Sequence, residues 1–405
     1  MRIVMVVCLA AFGVAHAQNK PAEPTPPPSW HQGKPPALQE STLHPFAPNL
    51  TGRQASELPV QRLKVPAGFK VEVWAEGIPE ARSLAVGDKG TVFVSNRLSK
   101  NVYAVVDRGG KREVKTLLKG LDAPNGIAFS KGTLYVAERG RITRYDGIEN
   151  RLDQPGEGKV VIDNLDPNRA PGHFWKFLAM GPDGKLYFNI GAPGNIVMPN
   201  YTQASIMRVD PASGVLETVA LGVRNSVGMD WNPKSKELWF TNHGRDWLGD
   251  DSPNDTLHRV ATKTVPNFGY PFCHQGDIID PEFGKGRSCK EFAKPALKLG
   301  AHIAPLGMRF YNGKMFPAEY QGNIFIAMHG SWNRTTKQGY NVSRVVLDEK
   351  GAVKKYEPFL TGFLMDEKAD PPMWGRPVDL AVMKDGAMLV SDDYNGILYR
   401  ISHGK

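Results

Sequence analysis

His173, Arg224, Asn225 and Arg376 are the residues whose types and spacing suit chemistry on an acidic, planar or polyhydroxylated ligand. Each lies four to seven residues upstream of a reference position in a short apolar run, and the same placement recurs at Arg82, Asn125, Lys176 and His302. Imidazole titrates near neutrality, so His173 reads as a general base. His302 shares the placement and is the rival. Guanidinium groups grip carboxylates and delocalised anions through paired N–H donors, and amides orient hydroxyls or carbonyls. His243, His274 and His329 lie near glycine-rich loops without the H-E-x-x-H spacing of a zinc site. The loop from Thr241 to Asp255 (TNHGRDWLGDDSPND) gathers oxygen ligands and glycines, as calcium sites do. It lacks the EF-hand spacing, and a solvated acidic loop is the alternative. No P-loop, GxGxxG element or nucleophile-elbow serine is present.

These residues are carried by a repeating unit. The clearest copy is FLAMGPDGKLYFNIG, residues 177–191, where alternating apolar residues mark two strands around a Pro-Asp-Gly turn. Further copies start near Arg82, Asn125, Ser226, Pro305 and Val378. Six strand–turn–strand units, unevenly spaced because long loops intervene, predict an all-β, six-bladed β-propeller, since one blade cannot bury both of its faces alone. The innermost strand of each blade lines the axis. The residues just upstream of those strands therefore converge on one axial mouth, giving a ring rich in cations and amides.

Composition agrees with a turn-rich β domain: 405 residues, 41% hydrophobic and 22% charged, with 42 Gly and 32 Pro. Residues 1–17 (MRIVMVVCLAAFGVAHA) read as a cleaved signal peptide: a basic start, an apolar run too short to span a bilayer, and a small-residue end. That predicts a periplasmic or secreted protein with no membrane span. Residues 18–58 are rich in proline and polar residues and predict an extended or surface-wrapped segment. The propeller domain then occupies 59–405. Two cysteines remain after the leader, Cys273 and Cys289, and an even count in an exported chain predicts a disulfide. The net charge of +9 is scattered rather than striped, which argues against nucleic acid as a partner.

The motifs GVRNSVGMDW, the His173 loop before LAMGPDGKLYF, NFGYPFCHQGD, APLGMRFY and AMHGSWNR together resemble the soluble quinoprotein sugar dehydrogenases, in their sorbosone dehydrogenase-like branch. The resemblance runs from about Leu63 to the C-terminus. It implies a six-bladed propeller that binds pyrroloquinoline quinone (PQQ) with Ca2+ on its axial face. By that resemblance His173 matches the general base, which takes the proton of the sugar C1 hydroxyl while hydride passes to the quinone. Arg224 and Asn225 match a pair that contacts the quinone oxygens, and Asn125 falls near an amide contact. Gly244 and Arg245 match positions whose backbone carbonyls hold the calcium. Arg376 matches one of two arginines that bind the cofactor carboxylates, with Val378 in the place of the second. The cofactor lysine has no direct counterpart; Arg334, Lys337 or His329, in the longer segment HGSWNRTTKQGY, would replace it.

The expected activity is thus PQQ-dependent oxidation of an aldose or sugar aldehyde, with a small sugar as substrate and an external electron acceptor as partner. A calcium-dependent lactonase would instead need carboxylates converging on a metal. A non-catalytic carbohydrate-binding propeller would not depend on His173 beyond affinity.

Overall fold

The computed structural model describes residues 27–404 apart from 168, 170 and 263, so the expected signal peptide lies outside the described residues. Six four-stranded antiparallel sheets form the blades of a propeller. The expected six blades are present, and each sequence repeat opens one. The inner strands are Leu84–Val86, Gly126–Ser130, Leu178–Met180, Met229–Trp231, Pro305–Phe310 and Pro377–Val382. Within the third blade, Leu178, Ala179 and Met180 pair with Phe188, Tyr187 and Leu186. Gly184 makes the connecting turn at φ +77°, which a side chain would resist.

The ring closes between its ends. Phe69–Ala75 pairs antiparallel with Ile397–His403, so the first strand of the domain is the outermost strand of the last blade. Phe69 is anchored there among Phe316, Tyr320 and Phe359, with ring centroids within 5.0 Å of its own. Contacts between neighbouring inner strands tie the blades together near the axis. The buried Asp379 carboxylate accepts from the Leu84 amide at 2.9 Å, and Asp230 accepts from the Phe310 amide at 2.8 Å. On the axis, Val227, Leu306 and Val378 pack into a small apolar plug. The fourth blade carries a long insertion before its last strand, with a short hairpin stapled by the Cys273–Cys289 disulfide, as the cysteine count predicted.

Residues 27–58 do more than wrap the surface. They run across the axial face through short 3-10 turns. The Trp30 carbonyl accepts from Trp247 Nε1 at 2.6 Å, Gln32 accepts two hydrogen bonds from Asn195 through its Oε1 and its carbonyl, and the Phe46 carbonyl accepts from Arg376 Nη1 at 2.7 Å. Among the described residues no helix is long and apolar enough to cross a membrane.

Candidate functional site

The axial mouth holds a cavity of about 220 Å³ above the apolar plug. Its wall includes His173, Arg224, Asn225, His302, Arg376 and Arg82, so the inner-strand approaches do converge. Arg97, His243, His329, Asp246, Asp255 and Asp393 add to the polar lining.

His173 stands on a loop pressed against the strand end at Gly191–Asn195. A Cβ at Gly191 would lie 2.5 Å from the His173 Cβ, and one at Gly172 would lie 2.3 Å from the Pro193 carbonyl carbon; only glycine permits that approach. The Ala192 carbonyl accepts both the His173 amide at 3.0 Å and the ring Nδ1 at 3.1 Å. Nδ1 therefore carries the proton, and Nε2 is left with its lone pair. Burial, then the nearby Arg224 charge, holds the imidazole pKa well below its usual range. Asn189 braces the loop from below: its Oδ1 accepts from the Phe177 amide at 2.6 Å and its Nδ2 donates to the Trp175 carbonyl at 3.2 Å.

Arg224 is clamped by three acceptors, the Asn195 carbonyl and Oδ1 at 2.8 Å each and Asp246 at 2.9 Å. Asn225 donates from Nδ2 to His243 Nδ1 at 3.1 Å, while His243 Nε2 donates to the Pro305 carbonyl at 3.0 Å. Burial lowers the His243 pKa to about 3, so this histidine is a neutral brace for Asn225. Asn225 Oδ1 is then a buried acceptor with no partner among the described residues, on the wall of the cavity.

On the opposite side, Asp393 accepts from Arg82 at 2.7 Å, Arg376 at 3.0 Å and His329 at 3.1 Å. Four arginines thus face three aspartates around the cavity. Asp393 and Asp246 are engaged by arginine, and Asp255 accepts from the Gly244 and Ala304 amides at 2.7 and 2.8 Å. Burial raises the Asp255 pKa to about 6. No three His, Cys, Asp or Glu side chains gather as a metal site among the described residues.

Other expected residues fall elsewhere. Asn125 lies behind the wall, accepting from Arg82 Nε at 2.7 Å and donating to the Lys176 carbonyl at 2.9 Å, so it holds Arg82 instead of lining the cavity. Lys176 faces a neighbouring cavity, and burial lowers its pKa to about 8. Arg334 is turned to the acidic loop, donating to the Asp250 carbonyl at 2.6 Å and Asp251 at 2.7 Å; that loop uses its charge, and the guanidinium is not in the cavity wall. Lys337 Nζ caps the Trp332 carbonyl at 2.8 Å, leaving His329 as the one residue of that segment's three that lines the cavity. His302 Nε2 donates to the Gly249 and Ser252 carbonyls at 2.8 and 3.1 Å, which fixes its tautomer and leaves its lone pair on Nδ1.

Gly244 lines the cavity, whereas the Arg245 side chain points away to Asp280 and Glu282, at 2.6 and 2.8 Å. The Gly244 and Arg245 carbonyls accept no hydrogen bond from the described residues. Val378, in the place the resemblance gives to a second arginine, belongs to the plug under the cavity.

The residues present suit a planar polyanion: buried guanidinium groups for carboxylates, an unpaired amide oxygen for a donor or cation, and an oriented imidazole. Sequence reading missed Arg97, Asn195 and Asp393, and took Asp246 and Asp255 only as part of the oxygen-rich loop 241–255. Asp393 sits in Ser391-Asp-Asp, just past a strand with the repeat's alternation, and the position after each such strand was the available signal.

A family model described as TrAA12-like matches residues 63–404. A protein of Borreliella burgdorferi, described only as uncharacterized, is 33% identical over 362 residues, covering 87% of this chain and 93% of its own. The pyrroloquinoline quinone-dependent pyranose dehydrogenase of Coprinopsis cinerea is 25% identical over 318 residues, 56% of this chain, and the match spans only 43% of the fungal enzyme. The holo form of that enzyme's PQQ domain superposes with a TM-score of 0.72 at 19% identity, covering 84% of this chain and 97% of the domain. A calcium structure of the Trichoderma reesei family AA12 protein gives 0.73 at 20% identity, with the same coverage of 84% and 97%. At these identities the two structures establish the shared propeller.

Proposed function

Because the chain belongs to the TrAA12-like family, we propose that it is a PQQ-dependent sugar dehydrogenase acting on an aldose or related sugar aldehyde. The observation that carries this reading is the fixed tautomer of His173, whose Nε2 lone pair sits in a cavity walled by arginines. Arg376, Arg82 and Arg97 would hold the cofactor carboxylates, and Arg224 and Asn225 its quinone edge. The Gly244 and Arg245 carbonyls would take up Ca2+.

When bound, the quinone supplies the two-electron acceptor that the chain's own side chains lack. His173 would accept the proton of the C1 hydroxyl at Nε2 as hydride leaves C1. Arg224, held rigid by Asn195 and Asp246, would stabilise the negative charge that develops on the acceptor side without reorganising. An external acceptor must then remove the electrons. The disulfide and residues 1–17 support a periplasmic or secreted location. The lactonase alternative is disfavoured because Asp246 and Asp393 are spent on arginines.

The test is dye-coupled turnover of purified protein with PQQ and Ca2+ on a panel of aldoses and ketoaldoses. Turnover that requires PQQ supports the reading; lactone hydrolysis with no sugar oxidation under the same conditions overturns it.

A further inference from the structure

A second cavity, of about 450 Å³, opens beside the first and shares Pro45, His173, Trp175, Arg224, Asp246 and Trp332 with it. Part of its wall comes from the N-terminal segment: Ser29, Trp30, Gln32 and Pro45. These residues precede the family-matched region, which begins at residue 63, so this wall lies outside the matched propeller.

Its surface is amphipathic in a particular way. Trp30, Phe174, Trp175 and Trp332 supply aromatic faces, and Gln32, Asn195 and Asp246 supply polar edges. The Trp30 backbone is pinned by Trp247 Nε1 at 2.6 Å, and Gln32 is pinned to Asn195 at 2.6 and 2.8 Å. Trp30 remains 38% exposed, and its ring meets only the His31 ring among aromatic neighbours. A fixed backbone presenting a large, partly exposed ring loses little entropy on binding. A pyranose ring matches such a wall, with C–H groups for the aromatic faces and hydroxyls around its rim for amides and carboxylates.

We propose that Trp30 is a specificity-determining residue that stacks on a second sugar ring, so that the preferred substrate is a reducing disaccharide or longer oligosaccharide. The ring to be oxidised lies at His173, and the glycosidically linked ring lies against Trp30. The inference rests on the dehydrogenase reading for the assignment of the reacting ring.

The test is calorimetric binding of D-glucose, cellobiose and maltose to the full chain and to its Trp30→Ala and Trp30→Phe variants, with kcat/KM on the same sugars alongside. At least one disaccharide should bind about tenfold more tightly than glucose. That preference should collapse in Trp30→Ala and largely return in Trp30→Phe, with far-UV circular dichroism unchanged. Equal affinity for all three sugars, or a preference that survives Trp30→Ala, overturns the proposal. Binding is read without turnover, so a disaccharide preference in a protein that oxidises nothing would count against the dehydrogenase reading alone.

Discussion

His173 Nδ1 lies 3.1 Å from the Ala192 carbonyl oxygen, and that same oxygen accepts the His173 backbone amide. The Ala192 amide in turn donates to the Arg224 carbonyl at 2.7 Å. One backbone residue thus fixes the tautomer of the imidazole and ties its loop to the strand approach that carries Arg224.

The first prediction concerns that imidazole. Replacing His173 with Ala should lower kcat by about 10²- to 10⁴-fold, the usual contribution of a general base. The melting temperature should hardly change, since the ring stands at a cavity wall. Parallel steady-state kinetics and thermal melts would check this; an unchanged kcat would remove His173 from the chemistry.

The second is a pH profile. With its pKa held well below 6.5, first by burial and then by Arg224, His173 stays neutral through mildly acidic pH. The acid limb of kcat/KM should therefore fall well below pH 6.5 and not at it. Arg224→Gln removes a positive charge facing the ring, so in that variant the limb should move upward. A limb that stays fixed would show that another group controls it.

The third concerns Asp393, which alone receives Arg82, Arg376 and His329. Burial alone would raise its pKa, but Arg376, His329 and Arg82 together hold the carboxyl far below its usual range. Such a depressed acid contributes stability that is fully present above the unfolded pKa of about 3.9 and is lost as pH falls toward the folded value. Asp393→Asn leaves two buried guanidinium groups without their carboxylate and should cost about 3–5 kcal/mol. In denaturant titrations the gap between wild type and variant should be steady from pH 5 to 8 and narrow below pH 4.

Much of the fold and part of the site were legible in the sequence, and the division has a physical cause. The six inner strands announced themselves by period-two alternation around short turns, and the approach to each strand could be placed by counting back. Counting back finds which residues come near the axis, not which way they point. His173, Arg224, Asn225 and Arg376 reach the cavity, whereas Asn125 is spent on Arg82 and Arg334 on Asp250 and Asp251. The carboxylates that restrain the arginines lie on separate loops, and only tertiary folding brings Asp393 to Arg82, 311 residues away in sequence. The proline-rich segment has no periodicity, so its role as a wall of the site could not be read from pattern.

The fourth prediction concerns the staple in the fourth blade. The Cys273–Cys289 bridge spans a sequence separation of 16 and closes an irregular loop with little core of its own. Replacing both cysteines with serine should cost about 3 kcal/mol in the chain-entropy view. Unfolding midpoints of the variant and of the reduced wild type should agree; a variant as stable as the oxidised protein would contradict this.

The most direct measurement for the account as a whole is anaerobic titration of the purified protein with PQQ in the presence of Ca2+, followed by addition of sugar. A saturable change in the cofactor's absorbance is predicted on binding, weakened in Arg376→Ala. Addition of sugar should then convert the spectrum to that of the reduced cofactor, promptly in the wild type and slowly in His173→Ala. No absorbance change on PQQ addition, or a bound cofactor that sugar never reduces, would contradict the account.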